Sequence, residues 1–353
     1  MRGLPPGVSK KERLKCQQKS KIMSCKPLIS GALLNLGRSI FTKTKNCYEI
    51  TEEEWLRMLD EMQGVGFNLL FIFQGVDEAM GRKAIAAPDL LEFIFSECDR
   101  RRMEVIVSAS CSDAWWVGGI DVSREVHLVE ATTREIHARY GAHPSLVGWY
   151  LPYECPMWRG PQGDLYRELC RAAAESCKGL APRLPVAISP FFVPNTTGQC
   201  MDFQYYEPAE YTDFWSRVLS DAKIETLALQ DNGGQHLSCF TEKDRMPFIE
   251  AFAKACKNAG TQFWGNVETG EFPVADLGDF ARRFGAKGDV NDPNFAGNWR
   301  AVPIDRLIRK LELISPLTVR NVSWGYFEFY NPSEGDLHRA AYEGYREYYQ
   351  RTK

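Results

Sequence analysis

Thr51-Glu-Glu-Glu-Trp-Leu-Arg-Met-Leu-Asp-Glu-Met-Gln-Gly-Val-Gly-Phe-Asn-Leu-Leu-Phe-Ile-Phe-Gln74 holds one helix and one strand in 24 residues. Thr51 and Glu54 stand at the spacing of a capping box, in which each side chain satisfies a free backbone N–H of the other. Trp55, Met58, Leu59 and Met62 then recur at helical spacing on one face. Phe67 to Gln74 is a near-continuous apolar run, the pattern of a strand covered on both faces in a parallel sheet.

The same step repeats along the chain. Eight β-rich runs occur at Leu28–Leu36, Phe67–Gln74, Glu104–Ser110, Leu146–Glu154, Pro185–Phe192, Thr226–Asp231, Gln262–Glu268 and Val322–Tyr330. Their starts are 36 to 42 residues apart, except for a last step of 60. A repeat near forty also suits a propeller, but the gaps hold helices rather than turns. Asp89–Arg102, Val122–Tyr140, Asp164–Lys178, Glu210–Asp221, Arg245–Asn258, Ile304–Ile314 and Glu334–Tyr349 all read as helical. Eightfold strand–helix alternation predicts a single (β/α)8 barrel, with an open doubly wound sheet as the alternative. In a barrel, chemistry belongs at the carboxyl ends of the strands. The 60-residue step then places an extended loop over that end, residues 270–300, with Gly270, Phe272, Gly285, Gly288, Asp292, Pro293 and Trp299.

Composition sets the outer bounds. The chain has 353 residues, 44% hydrophobic and 12% aromatic, enough to bury about three-quarters of its surface. Disorder is excluded, and no apolar run approaches 18 residues. Residues 1–26 carry eight Lys/Arg and one acid, leaving a net charge of −10 on the rest. Residues 1–26 therefore read as a basic, flexible leader and 27–353 as the barrel domain. An acidic body disfavours nucleic acid and anionic membranes as partners. Eleven cysteines without a CxxC pair read as buried thiols of a reducing compartment, favouring a cytoplasmic protein over an exported one.

Two strands end in a carboxylate. Gly148-Trp-Tyr-Leu-Pro-Tyr-Glu154 closes the fourth, and Phe263-Trp-Gly-Asn-Val-Glu268 closes the seventh. Alternation puts Trp264, Asn266 and Glu268 on one face. Two carboxyls converging on one mouth are what glycoside hydrolysis needs: a proton donor for the leaving oxygen and an ionised partner at the anomeric carbon. Gln74, Asp113, Asp231, Asn232 and Glu328 are further polar groups at strand ends. Asp231 is the strongest competitor, and a lyase or transferase pairing it with Glu154 is an alternative. Trp115, Trp116, Tyr153, Trp158, Trp264, Trp299, Trp324 and Tyr330 could wall a pyranose site or fill the core. A barrel that binds saccharide without cleaving it is a further alternative. Of the five histidines only His236 lies just past a strand, so no catalytic metal is expected. No GxGxxG, P-loop or GxSxG motif occurs, and no cofactor is expected.

The segments Thr51–Trp55, Phe67–Gln74 and Gly148–Glu154 resemble the bacterial glycoside-hydrolase-like barrels grouped as domain of unknown function 4434. More distantly, the order of carboxylates is similar to the large retaining glycosidase clan. That resemblance implies a retaining glycosidase with Glu154 as acid/base on strand four and Glu268 as nucleophile on strand seven. The clan's usual Asn before the strand-four Glu, which binds the sugar 2-hydroxyl, is replaced here by Tyr153.

Overall fold

The computed structural model describes residues 25–36, 50–73, 88–112, 114–117, 119–196, 204–232, 234, 238–284 and 298–353. Its strands are β1 (Gly31–Asn35), β2 (Leu69–Phe73), β3 (Glu104–Ser108), β4 (Leu146–Leu151), β5 (Val186–Ile188), β6 (Thr226–Gln230), β7 (Gln262–Asn266), β8 (Gly270–Glu271), β9 (Arg300–Ala301) and β10 (Arg320–Trp324). Eight of them close in the order β1-β10-β7-β6-β5-β4-β3-β2, every pair parallel. Because β1 pairs with both β2 and β10, the sheet has no edge, and the fold is a (β/α)8 barrel rather than an open doubly wound sheet. β8 and β9 form a separate antiparallel ribbon.

The helices around the barrel are α1 (Glu52–Gly64), α2 (Pro88–Arg101), α3 (Ala114–Val117), α4 (Val122–Tyr140), α5 (Gly160–Leu180), α6 (Pro208–Ala222), α7 (Glu242–Ala259), α8 (Leu277–Phe284), α9 (Ile304–Ile314) and α10 (Asp336–Thr352). The capping box that starts α1 is present: Glu54 N–H donates to Thr51 Oγ1 over 3.2 Å and Thr51 N–H to Glu54 Oε2 over 2.8 Å. Trp55, Met58, Leu59 and Met62 are its buried face, as the spacing predicts. Each fully buried side chain of this size contributes roughly 1.5–3 kcal/mol relative to exposure. Main-chain bonding to the barrel is already in place at Cys25, whose N–H donates to Thr318 O over 3.0 Å. Among the described residues no helix is long and apolar enough to cross a membrane.

Leu33, Leu69, Phe71, Ile106, Tyr150, Ala187, Ala228, Trp264 and Val322 fill the barrel interior. Phe71 packs edge-on to Tyr150 and Trp264 at 5.8 and 6.1 Å between ring centroids. The amino-terminal end is closed by Arg320. Its guanidinium lies 5.1 Å from the Trp264 ring centroid and bonds Ser30 Oγ, Glu104 Oε2 and Asn68 Oδ1 at 2.9, 2.6 and 2.5 Å. The interior is thus a packed plug closed at its amino-terminal end, and in barrels of this kind chemistry sits at the carboxyl end.

One element departs from its expected course. The last strand, read as running to Tyr330, stops at Trp324; Gly325 takes a left-handed φ of 95° and Tyr326–Tyr330 forms a single π-helical turn. A strand cannot continue through that backbone conformation, and Tyr326 and Tyr330 turn outward against Phe67 and Tyr345.

Candidate functional site

The inward side of β4 carries Tyr150 and, beyond the strand end, Glu154. Tyr150 Oη donates to Glu154 Oε1 over 2.6 Å, and Gln230 Nε2 on β6 donates to Glu154 Oε2 over 2.9 Å. Gln230 also donates to Ser189 O, and Asn266 Nδ2 on β7 donates to Ser189 Oγ over 3.1 Å. A polar network therefore crosses β4, β5, β6 and β7 immediately above the plug. Glu154 is only partly covered. Desolvation raises its pKa, while the two hydrogen bonds it accepts pull the other way.

Glu268 continues the same face. The pairing of β7 with β10 runs past Asn266, through Val267 N–H to Val322 O and Thr269 N–H to Trp324 O, so Glu268 keeps the inward side of Asn266. The carboxyl lies beneath the loop after β6, where Gly234 N–H donates to Oε2 over 2.5 Å. Any Cβ at Gly234 would lie 2.6 Å from that oxygen and 2.4 Å from Gly270 O, so the close approach requires glycine. Glu268 is 2% exposed, and its pKa is pushed up to about 7, first by desolvation and then by the neighbouring Asp231 charge.

Asp231 itself faces the other way. Ala228 and Gln230 point inward, so Asp231 points toward the helices, where Lys310 Nζ pairs with its Oδ2 at 2.9 Å. The alternative that pairs Asp231 with Glu154 is corrected by this parity. Past the strand, Asn232 holds a left-handed φ of 50° and its amide Nδ2 donates to Phe192 O.

A family profile matches residues 29–336, that of a domain of unknown function, DUF4434. The chain belongs to the DUF4434 family. No curated protein matches it in sequence. Solved structures similar to this DUF4434 chain include a proposed alpha-L-fucosidase from Bacteroides thetaiotaomicron VPI-5482, 18% identical, covering 94% of this chain and 98% of that one with a TM-score of 0.70. An endo-1,4-beta-D-mannanase from Thermotoga petrophila RKU-1 is 12% identical over 92% of this chain and 99% of that one, with a TM-score of 0.50. The catalytic domain of the major endoglucanase from Xanthomonas campestris pv. campestris is 14% identical over 92% and 95%, again at 0.50. At such identities the likeness is one of fold.

Most of the aromatic residues expected at the mouth of the DUF4434 barrel pack elsewhere. Trp264 belongs to the plug under Arg320. Tyr153 is fully buried on the outward side, its Oη donating to Glu125 Oε2 over 3.3 Å. Trp115 packs on Tyr153 at 5.4 Å and on Trp158 at 6.4 Å. Trp158 borders a surface cavity of about 360 Å³ between α5 and α6, with Arg159, Glu210 and Phe214. Trp299 packs against Phe272, Trp324 and Phe329. Tyr330 is buried and donates to Val302 O over 3.4 Å. Trp324, partly covered at the carboxyl end of β10, packs against the barrel interior as Trp264 does lower down. Gln74, Asp113 and the side chain of Trp116 lie outside the described residues, as do His236 and Gly285, Gly288, Asp292 and Pro293 of the extended loop.

Glu328 sits midway along the π-helical turn, half a turn from Tyr326 and Tyr330. It is 3% exposed, without an ion pair among the described residues, and burial pushes its pKa up to about 7. Tyr150, Ser189, Gln230 and Lys310 escaped the sequence reading. Gln230 had a signal: it is the polar residue that shares the inward parity of Ala228.

Proposed function

We propose that this protein is a glycoside hydrolase acting on carbohydrate, with Glu154 and Glu268 as its catalytic pair. The observation that carries this reading is the pair of inward carboxyls at the ends of β4 and β7, Glu154 held by Tyr150 and Gln230 and Glu268 by Gly234 N–H. Two such groups are the minimum for cleaving an acetal: one must give a proton while the other is ionised. The likeness in fold to a mannanase and an endoglucanase supports it.

In the mechanism, Glu154 protonates the departing glycosidic oxygen as Glu268 attacks the anomeric carbon. Glu154 then takes a proton from water, which cleaves the glycosyl ester and releases the sugar. Tyr150 and Gln230 fix the Glu154 rotamer through one hydrogen bond to each oxygen. Among the described residues Asn266 Oδ1 is buried without a hydrogen-bond partner beside this network. Retention requires carboxyls roughly 5–5.5 Å apart; inversion requires roughly 6.5–9.5 Å. Glu154→Gln and Glu268→Gln are expected to fold normally and to lose turnover across aryl glycosides and polysaccharides, with NMR of the first-formed anomer reporting the stereochemistry. Turnover retained in both variants refutes the pair, and saccharide binding by the wild type without turnover makes the protein a binding barrel.

A further inference from the structure

We infer that the buried Asp231–Lys310 ion pair is a positioning device for Glu268, clamping the main chain on both sides of its Cα from outside the barrel. The inference rests on the glycosidase reading for its consequence in turnover, though not for its geometry. Lys310 Nζ on α9 donates to the carbonyl oxygen of Glu268 over 2.6 Å. Asp231 Oδ1 at the end of β6 accepts the Glu268 N–H over 3.4 Å. The two side chains meet each other at 2.9 Å with 1% and 6% of their side-chain surface exposed. One charged pair thus holds both polar groups of a single residue's backbone, and its two members come from different elements.

The location makes stability a poor explanation. Taking a carboxylate and an ammonium out of water is costly, and an apolar pair of similar size is often as stable or more so. What apolar residues cannot do is grip an N–H and a C=O at once. Arg245 on α7 extends the grip, its Nη1 donating to Asp231 O over 3.3 Å. Among the described residues, the charged groups acting on Glu268 include Asp231 just past β6, Arg245 from α7 and Lys310 from α9; the first raises its proton affinity and the other two lower it. The loop contributes Gly234 N–H directly to the carboxyl. The main chain of Glu268 is therefore gripped from one cluster lying behind the strand, whose charges act on its carboxyl in addition to burial and the Gly234 hydrogen bond.

Three variants test this: Lys310→Met, Asp231→Asn and the double Asp231→Asn/Lys310→Met, the last removing the pair without leaving a lone buried charge. Glu268 is titrated by carboxyl carbon NMR, assigned by loss of its signal in Glu268→Gln, alongside kcat and KM on the best glycoside found and a urea melt for folding. In Lys310→Met the Glu268 midpoint is expected to move up, because its cationic neighbour is lost. In the folded double variant kcat is expected to fall about 100-fold, as for a reacting group displaced by an ångström, with KM nearly unchanged. A folded double variant with wild-type kcat overturns the inference, and so does an unmoved Glu268 midpoint in Lys310→Met. If no glycoside is turned over by the wild type, the catalytic reading fails while amide hydrogen exchange at Glu268 still decides the clamp: faster exchange in the folded double variant upholds it and unchanged exchange ends it.

Discussion

A carboxyl whose pKa rises on folding makes the folded state weaker as pH rises, and Glu268 allows that to be measured. Its pKa moves from an ordinary 4.5 to about 7. Folding then favours the protonated form. Below 4.5 both folded and unfolded chains are protonated and there is no penalty; between 4.5 and about 7 only the unfolded chain gains by losing its proton; above about 7 the full penalty applies. At about 1.4 kcal/mol per pH unit, the cost at alkaline pH is about 3 kcal/mol, falling below about 1 kcal/mol at about pH 5. Glu268→Gln has no proton to lose, and its amide oxygen can still accept from Gly234 N–H. The variant should therefore be more stable than the wild type by about 3 kcal/mol at about pH 8, with most of that gain gone at about pH 5. Urea unfolding followed by tryptophan fluorescence at the two pH values measures this through the midpoint and slope. A stability difference independent of pH would show that Glu268 is an ordinary ionised surface-like carboxylate and remove the electrostatic basis of its assignment.

Other outcomes are equally specific. If Glu268 is the nucleophile, kcat/KM should rise with pH through a midpoint near 7, because attack needs the ionised form; a falling limb there would move the proton-donor role to Glu268. Thr51→Ala removes the hydroxyl that caps α1 and should cost about 1 kcal/mol in denaturant midpoint, with catalytic constants unchanged. Trp215→Ala empties a fully buried site between Tyr166, Phe214 and Phe252 and strands Pro156 O, so about 3–5 kcal/mol of stability should be lost.

The barrel was legible because its signals are periodic and local. Val122–Tyr140 and Ile304–Ile314 have the same bounds in the sequence reading and in the structure. The strand eight boundary failed because Tyr326-Phe-Glu-Phe-Tyr330 has strand composition, whereas one glycine in a left-handed conformation redirects the chain. At the mouth, parity separated what was legible from what was not. Alternation correctly grouped Trp264, Asn266 and Glu268, but it does not say how deep each lies. Trp264, four residues below Glu268, ends in the floor. Asp231 is the strand-six candidate in the sequence and Gln230 is not, yet a shift of one residue sends Asp231 out to Lys310 and Gln230 in to Glu154. Tyr153 and Trp158 sit beside the strand-four carboxyl in sequence but belong to the layer between sheet and helices, a distinction that only three-dimensional packing makes.

The stack of Phe71, Tyr150 and Trp264 over Arg320 has a kinetic corollary. With the amino-terminal end stoppered, Glu154 has no access from below. Under the proposed glycosidase reading, substrate, water and released sugar would share the carboxyl side, and slow sugar release there would show as product inhibition.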